Sequence, residues 1–534
     1  MIKRYDVIIK NGKIIDGTGN PWYRADVGII QGKIVKIGFI SGLAKKTIDV
    51  SNFIVSPGFI DIHNHSDLSI LAVPNCESNI KQGITTAVVG NCGISMAPLN
   101  SKKVKLFQKY LAPLLISKYD YKWDWKSLAE YQEKVKAQGT AINLAFLIGQ
   151  GTIRLAVKSF ASGKSSEKEM KQMKEILAES LEDGAFGMSS GLIYPPGCYS
   201  DTEELIELGK ILKKYNRIYV SHIRDEGTDL IKSIKEAIKI GEINDIPVEI
   251  SHFKAKGEEN WGKVNYGFKL MEEARERGVE VNCDVYPYNA TSTTITSVLP
   301  IWTLENGVEE MLKVLSSKEN RKKIKQDFIT GRVKGNNLDE DGFGQIVIAD
   351  SPLNKEYEGK SLKEIIKLKN RISDPYDAFF DLIIEIKGQA SVVKFVLSDE
   401  DVKKVISHPL SMIGSDSSGI CPEIGGKPHP RAYGTFPRVI DKYVSKEKIL
   451  RLEDAIRKMT SLPASKIRLP YRGLIKEGFW ADIVIFDSNK IKDRATFANP
   501  HQYPDGIEYV LVNGEVSLEK GRLTNKRYGK ILKP

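Results

Sequence analysis

Eight short apolar runs recur along the middle of the chain, and they restrict the fold more than any other feature of the sequence. They are FIDIH (59–63), TTAVVG (85–90), INLAFLIG (142–149), GAFGMSS (184–190), RIYVSHI (217–223), IPVEISH (246–252), VEVNCDVY (279–286) and SMIGSD (411–416). Runs this short and this apolar suit parallel strands buried on both faces. Several are separated by stretches with apolar residues at i, i+3 and i+4, such as SSEKEMKQMKEILAESLED and GTDLIKSIKEAIKIGEI. Eight strands with helical crossovers predict a (β/α)8 barrel of the TIM type. The rival is a doubly wound open sheet. It usually binds phosphate through a glycine-rich turn after its first strand, and here that turn carries histidines.

The two ends of the chain share a different texture. YDVIIKNGKIIDGTG and RADVGIIQGKIVKIG read as short strands broken by Asn-Gly and Gln-Gly turns, and GFWADIVIFD and GIEYVLVNGEVSLEKGRLT repeat the pattern near the C-terminus. Each end is too short to close a sheet alone. Residues 1–56 and 468–534 are therefore expected to form one small β-domain, leaving 57–467 for the barrel. Between the seventh and eighth runs the stretch 293–372 is unusually long. It contains VEEMLKVLSSKENRKKIKQDF, GQIVIADS and KSLKEIIKLK, and reads as a subdomain inserted over the barrel mouth.

The net charge of +11 comes mainly from lysines scattered along the chain. No arginine-rich tract or basic helix with interleaved aromatics is present, so nucleic acid is not an expected partner. No apolar stretch approaches the roughly 18 residues that a membrane span needs. MIKRYDVIIKNGKII reads as a strand and a turn, not as a signal peptide. The five cysteines, Cys76, Cys92, Cys198, Cys283 and Cys421, form no CxxC pair. An odd, sparse set in a long chain points to a reducing compartment, and a cytoplasmic location is expected.

His63 and His65 lie two residues apart at the end of the first run, where an HxH pair offers two imidazoles to one ion. His222 and His252 each follow a serine at the end of an apolar run, in YVSHI and EISHF. They are one βα repeat apart, which places them on adjacent strands at the rim where barrels build their sites. Asp416 ends the eighth run, beside the first in a closed barrel. It could cap a helix, but its position and neighbours favour contact with a metal and proton transfer. Cys92, in VVGNCGIS, leaves two readings open: a small buried hydrophobe, or a thiolate ligand able to bridge two ions. His408 and His501 read as structural, His429 as a candidate gate, and Cys283 as core.

Together these residues resemble the amidohydrolase superfamily and, within it, the N-acyl-D-amino-acid deacylase (D-aminoacylase) family. The similarity covers nearly the whole chain. It runs through DGTGNPW, PGFIDIHNHSD, QGITTAVVGNCGIS, GAFGMSSGLIYPPGCYSDTEEL, SHIRDEG, SHFKAKG, DVYPYNATST, GSDSSG, HPRAYGTFPR and NPHQYPDGIEYVLVNG. PGFIDxHxH marks the superfamily, whereas GNCGIS, YPPGCYSDTEEL and HPRAYGTFPR are far more specific. The resemblance implies a zinc site of one or two ions, with His63 and His65 as one pair, His222 and His252 as the other, and Cys92 as a ligand. GAFGMSSG lacks the lysine that many binuclear relatives carboxylate as a bridge, which fits a cysteine-type site. Asp416 corresponds to the catalytic aspartate, and also to a metal ligand. Lys254, Tyr286, Ser292 and Arg431 match positions that hold substrate, with Tyr288 and Thr294 as neighbouring alternatives to Tyr286 and Ser292. Arg431 independently offers a planar fork for a substrate carboxylate.

The expected activity is zinc-dependent hydrolysis of a small-molecule N-acyl-D-amino acid, with Asp416 as general base and acid. The D preference belongs to the resemblance alone. The rivals are cyclic amide or isoaspartyl dipeptide hydrolysis on the same site, and a non-catalytic barrel scaffold. The sequence leaves the oligomeric state and the acyl preference open.

Overall fold

A computed structural model describes residues 4–333, 338, 340–368 and 374–534. In it the eight apolar runs form one eight-stranded sheet. The strands are β1 (Phe59–Asp61), β2 (Ile84–Val89), β3 (Asn143–Gly149), β4 (Gly187–Gly191), β5 (Ile218–His222), β6 (Val248–Ile250), β7 (Val281–Val285) and β8 (Ser411–Ile413). Each pairs in parallel with the next. The ring closes where β8 meets β1, through a parallel bridge between Asn64 and Ser417. The Asp416 amide donates to the His63 carbonyl at 2.8 Å, and the His65 amide to Ser417 at 2.9 Å. Buried Asp61 locks this seam by accepting from Asn64 Nδ2 at 2.7 Å and from the Ser415 amide at 2.8 Å.

Helices cover the outside of the ring. Glu167–Glu182 starts on a capping box, Ser166 with Glu169, and buries Met173, Leu177 and Leu181 on one face. Leu230–Asn244, between β5 and β6, likewise buries an apolar face that includes Leu230, Ile234 and Ile238.

A nine-stranded sheet joins the two chain ends. The join is the antiparallel pairing of Ile54–Pro57 with Ile483–Phe486. Gln31 and Gly32, both at positive φ, turn the expected hairpin. Asn11-Gly12 does not. Arg4–Ile14 is one continuous strand, and Asn11 at φ 62° forms a bulge within it.

The insertion between β7 and β8 carries its own antiparallel sheet of Thr291–Thr294, Ile346–Asp350 and Ser391–Lys394. It also has its own apolar cluster, including Met311, Leu315, Phe379 and Val392. Two of these strands lie partly or wholly outside the stretch 293–372. The first is all hydroxyl residues and shows no apolar alternation. The end expected at residue 372 falls outside the described residues.

Candidate active site

The rim of the barrel at the C-terminal ends of its strands gathers every ligand candidate. His63 and His65 leave β1, Cys92 follows β2, His222 ends β5, His252 follows β6 and Asp416 follows β8. Their donor atoms fall into two groups, His63 with His65, Cys92 and Asp416, and Cys92 with His222 and His252. Within each group the atoms lie within 4.8 Å of one another, and Cys92 belongs to both. Cys92 Sγ stands 3.3 Å from His63 Nε2 and 3.6 Å from His252 Nε2. Asp416 Oδ1 is 3.2 Å from His65 Nε2 and 3.4 Å from His63 Nε2. His252 Nε2 lies 2.8 Å from His222 Nδ1. His222 Nε2 is buried without a hydrogen-bond partner, and the Glu226 carboxylate is 3.9 Å away.

Three of these residues occupy strained backbone: Cys92 at φ 54°, His252 at 37° and Asp416 at 49°. Non-glycine residues adopt such angles at a cost of about 1–3 kcal/mol each and do so mostly at functional sites. Two glycines let the Cys92 turn nest against the barrel. A Cβ on Gly191 would lie 1.9 Å from the Cys92 carbonyl oxygen, and one on Gly93 would lie 2.4 Å from the Gly191 nitrogen. Ser189 on β4 pins the same turn, accepting from the Gly93 amide at 3.0 Å and donating to the Gly90 carbonyl at 2.6 Å.

Two carboxylates that the sequence reading passed over aim the imidazoles. Asp284 on β7 accepts from His63 Nδ1 at 3.1 Å, and its other oxygen accepts the His252 amide at 2.9 Å. Glu226 Oε1 stands 3.0 Å from His252 Nδ1 and 2.5 Å from Lys254 Nζ. With Nδ1 committed, the Nε2 atoms of His63 and His252 are left to face Cys92, the arrangement that orients histidine ligands in metal sites. Asp284, inside β7, opens the DVYPYNATST motif, but nothing in that stretch pointed to a histidine partner. Glu226, four residues after His222 in SHIRDEG, was readable from that motif.

Burial opposes charge throughout this cluster; it prevails at His222, helped by His252, and is overcome by neighbours at Cys92, Asp416 and His65. The Cys92 thiol is drawn well below its ordinary range by His63 and His252 against the cost of burial. Asp416 is likewise held well below the carboxylate range by Arg431 and His63. His65 rises to about 9, because hydrogen bonding to Asp416 and Cys92 outweighs burial. The surroundings thus favour the anionic forms of Cys92 and Asp416 and the cationic form of His65.

A cavity of about 500 Å3 opens onto this cluster, with Lys254, Tyr286, Ser292 and Arg431 all in its walls. Arg431 Nη1 pairs with Asp416 Oδ2 at 2.8 Å, and its guanidinium stacks on Tyr286 at 4.6 Å. Tyr288 instead turns away to Asp493, 2.9 Å from its hydroxyl. Thr294 shares the cavity wall with Ser292. His429 is a brace and not a gate: Nε2 donates to the Ala290 carbonyl at 3.0 Å and Nδ1 accepts the Arg431 amide at 3.1 Å. His408 stacks on Phe268 and His501 bonds Tyr433, both away from the rim. Cys283 is fully buried in the barrel, and all five cysteines are unpaired.

A parallel α/β barrel with imidazoles, a thiolate and a carboxylate converging at the ends of its strands defines a metal-dependent hydrolase. The chain belongs to the amidohydrolase family, whose profile matches residues 46–228 and 372–518. It is 32% identical to the D-aminoacylase of Alcaligenes xylosoxydans xylosoxydans over 531 residues, 99% of this chain and 97% of that protein. It is 34% identical to the N-acyl-D-glutamate deacylase of the same organism over 518 residues, 96% of this chain and 94% of the relative. The solved N-acyl-D-glutamate deacylase of Bordetella bronchiseptica, complexed with zinc and a phosphonate mimic of the tetrahedral intermediate, matches with a TM-score of 0.84. The identity there is 32%, and all of both chains is covered. The motif-level resemblance to N-acyl-D-amino-acid deacylases is therefore borne out.

Proposed function

We propose that this protein hydrolyses N-acyl-D-amino acids to a carboxylate and a free D-amino acid, using one or two zinc ions. His63, His65, Cys92 and Asp416 would hold one ion, and Cys92, His222 and His252 the other. The donor chemistry fits: thiolate and imidazole suit a borderline-soft ion, and His222 Nε2 is a buried nitrogen without a hydrogen-bond partner. When bound, zinc acidifies a water and polarises an amide carbonyl.

The chain's own groups do the rest. Asp416, kept ionised by Arg431, accepts a proton from the attacking water at Oδ1 and returns it to the leaving nitrogen. Arg431 commits one arm to Asp416, and the remaining donors of its fork are free to take the α-carboxylate of the amino acid. Lys254, Tyr286 and Ser292 complete that end of the cavity. Glu226 and Asp284 keep the imidazoles aimed. The D preference rests on the named substrates of the relatives. A cytoplasmic location belongs to the same proposal, supported by the five unpaired cysteines. No helix among the described residues is long and apolar enough to cross a membrane. The division at residues 56 and 468, with the insertion as a unit of its own, is likewise proposed.

The observation that carries this reading is the placement of Asp416 beside both histidines that follow β1, with Cys92 shared between the two ligand groups. Zinc-loaded Asp416→Ala protein should lose turnover by several orders of magnitude. Near-normal turnover would overturn the role given to Asp416.

A further inference from the structure

The cavity is larger than an N-acetyl amino acid needs, and its chemistry differs from one side to the other. About 500 Å3 is the size of sites that take drug-sized ligands. The polar side carries Lys254 after β6, Tyr286 after β7, Ser292 and Arg431. Another stretch of the wall is apolar, made by Leu68, Ile94, Tyr110, Leu114, Ile116 and Ile420. Lys109, in the same wall, is ion-paired with Glu309.

Most of the apolar wall comes from the chain after β2. In an eight-stranded ring β2 stands four strands from β6 and three from β7, where Tyr286 carries the Arg431 guanidinium at 4.6 Å, so the polar end faces the β2 side across the mouth. The wall is built into the fold. Ile116 packs against the cluster of Ile420 and Tyr433. Lys118 Nζ donates to the Glu423 carbonyl at 3.0 Å, and the Tyr121 hydroxyl to the Leu68 carbonyl at 2.8 Å. Tyr110 meets Phe160 edge-on at 5.6 Å.

An amide substrate has polarity of its own. Its scissile carbon lies at the ligand cluster, the nitrogen and α-carboxylate extend one way, and the acyl substituent extends the other. With the carboxylate on Arg431, the acyl group is directed across the mouth toward the β2 side. We infer that the apolar wall is an acyl-chain site, and that the enzyme prefers N-acyl-D-amino acids with a medium-length aliphatic acyl group over N-acetyl ones. This rests on the proposed deacylase activity. Each methylene buried should raise kcat/KM by roughly fourfold until the wall is filled.

The test is kcat/KM of the zinc-loaded full-length protein on N-acetyl-, N-butanoyl-, N-hexanoyl- and N-octanoyl-D-alanine. A second series keeps the acetyl group and lengthens the side chain from D-alanine to D-norleucine. The expected result is a rise of roughly 250-fold from acetyl to hexanoyl, four methylenes at about fourfold each. Leu114→Asp and Ile116→Asp should each cut the hexanoyl-to-acetyl ratio at least tenfold; should either variant not fold, the wild-type series alone decides. A flat or falling acyl series overturns the acyl site while leaving the deacylase reading intact. So does a rise confined to the side-chain series. No cleavage of any member in the presence of zinc defeats the deacylase reading itself.

Discussion

Asp284→Asn isolates the aiming of the imidazoles from their presence. Asp284 is wholly buried and touches both ligand groups, accepting from His63 Nδ1 at 3.1 Å and from the His252 amide at 2.9 Å. Asparagine has the same shape but only one oxygen. If that oxygen stays on His63, the amide NH2 opposes the His252 N–H, donor against donor. If it turns to His252, the His63 ring loses its acceptor, and with it the preference that points Nε2 at Cys92. Either arrangement removes one charge-assisted hydrogen bond in a dry setting, a loss of about 1.5–3 kcal/mol. At about 1.4 kcal/mol per factor of ten, zinc affinity should fall roughly 10- to 100-fold, the range seen when such supporting partners are removed elsewhere. Competition against a chromogenic chelator measures the affinity, and circular dichroism checks that the variant is folded. A folded variant that binds zinc within twofold of wild type would refute the reasoning.

Three further outcomes follow from the same geometry. Gly191→Ala drives a methyl group into the Cys92 carbonyl oxygen, 1.9 Å away, and should cost about 3 kcal/mol by overpacking together with loosened zinc; an unchanged urea midpoint and zinc content would contradict this. Cobalt-substituted protein should show thiolate-to-metal charge-transfer absorption that Cys92→Ser abolishes, and persistence of the band in the variant would remove Cys92 from the ligand set. Glu226 is held well below its ordinary 4.5, burial opposing and Lys254 and the two histidines prevailing. Its stabilising contribution is therefore complete above about 4.5 and lost as pH falls through the depressed value. Removing the cation raises that value, so Lys254→Met should move the acid limb of melting temperature against pH upward. A limb that stays in place, or moves down, would be inconsistent with the pairing.

The barrel was legible because a buried parallel strand leaves an apolar run, and all eight runs overlap the strands they predicted. The metal candidates were legible because His63, His222, His252 and Asp416 each lie at or within one residue of the end of such a run. Cys92 needed more than spacing. What holds it is the absence of side chains at Gly93 and Gly191, a constraint visible only once β2 and β4 are brought together. Asn11-Gly12 has the sequence of a hairpin turn and forms a bulge, because the strand continues to pair on both sides of it. Asp284 opens a motif that was read for its tyrosines and hydroxyls, and its partners His63 and His252 come within reach only once β1, β6 and β7 share a barrel. The apolar wall at 110–116 carries no catalytic vocabulary and acquires meaning only from the loops it packs against.

The central claim is tested most directly by hydrolysis of paired N-acyl-D- and N-acyl-L-amino acids before chelation, after chelation and after zinc is restored. The account predicts cleavage of the D form, its loss with the metal and its recovery with zinc, while the L form remains largely intact. Cleavage indifferent to zinc, a preference for the L form, or no cleavage by zinc-replete protein would contradict it.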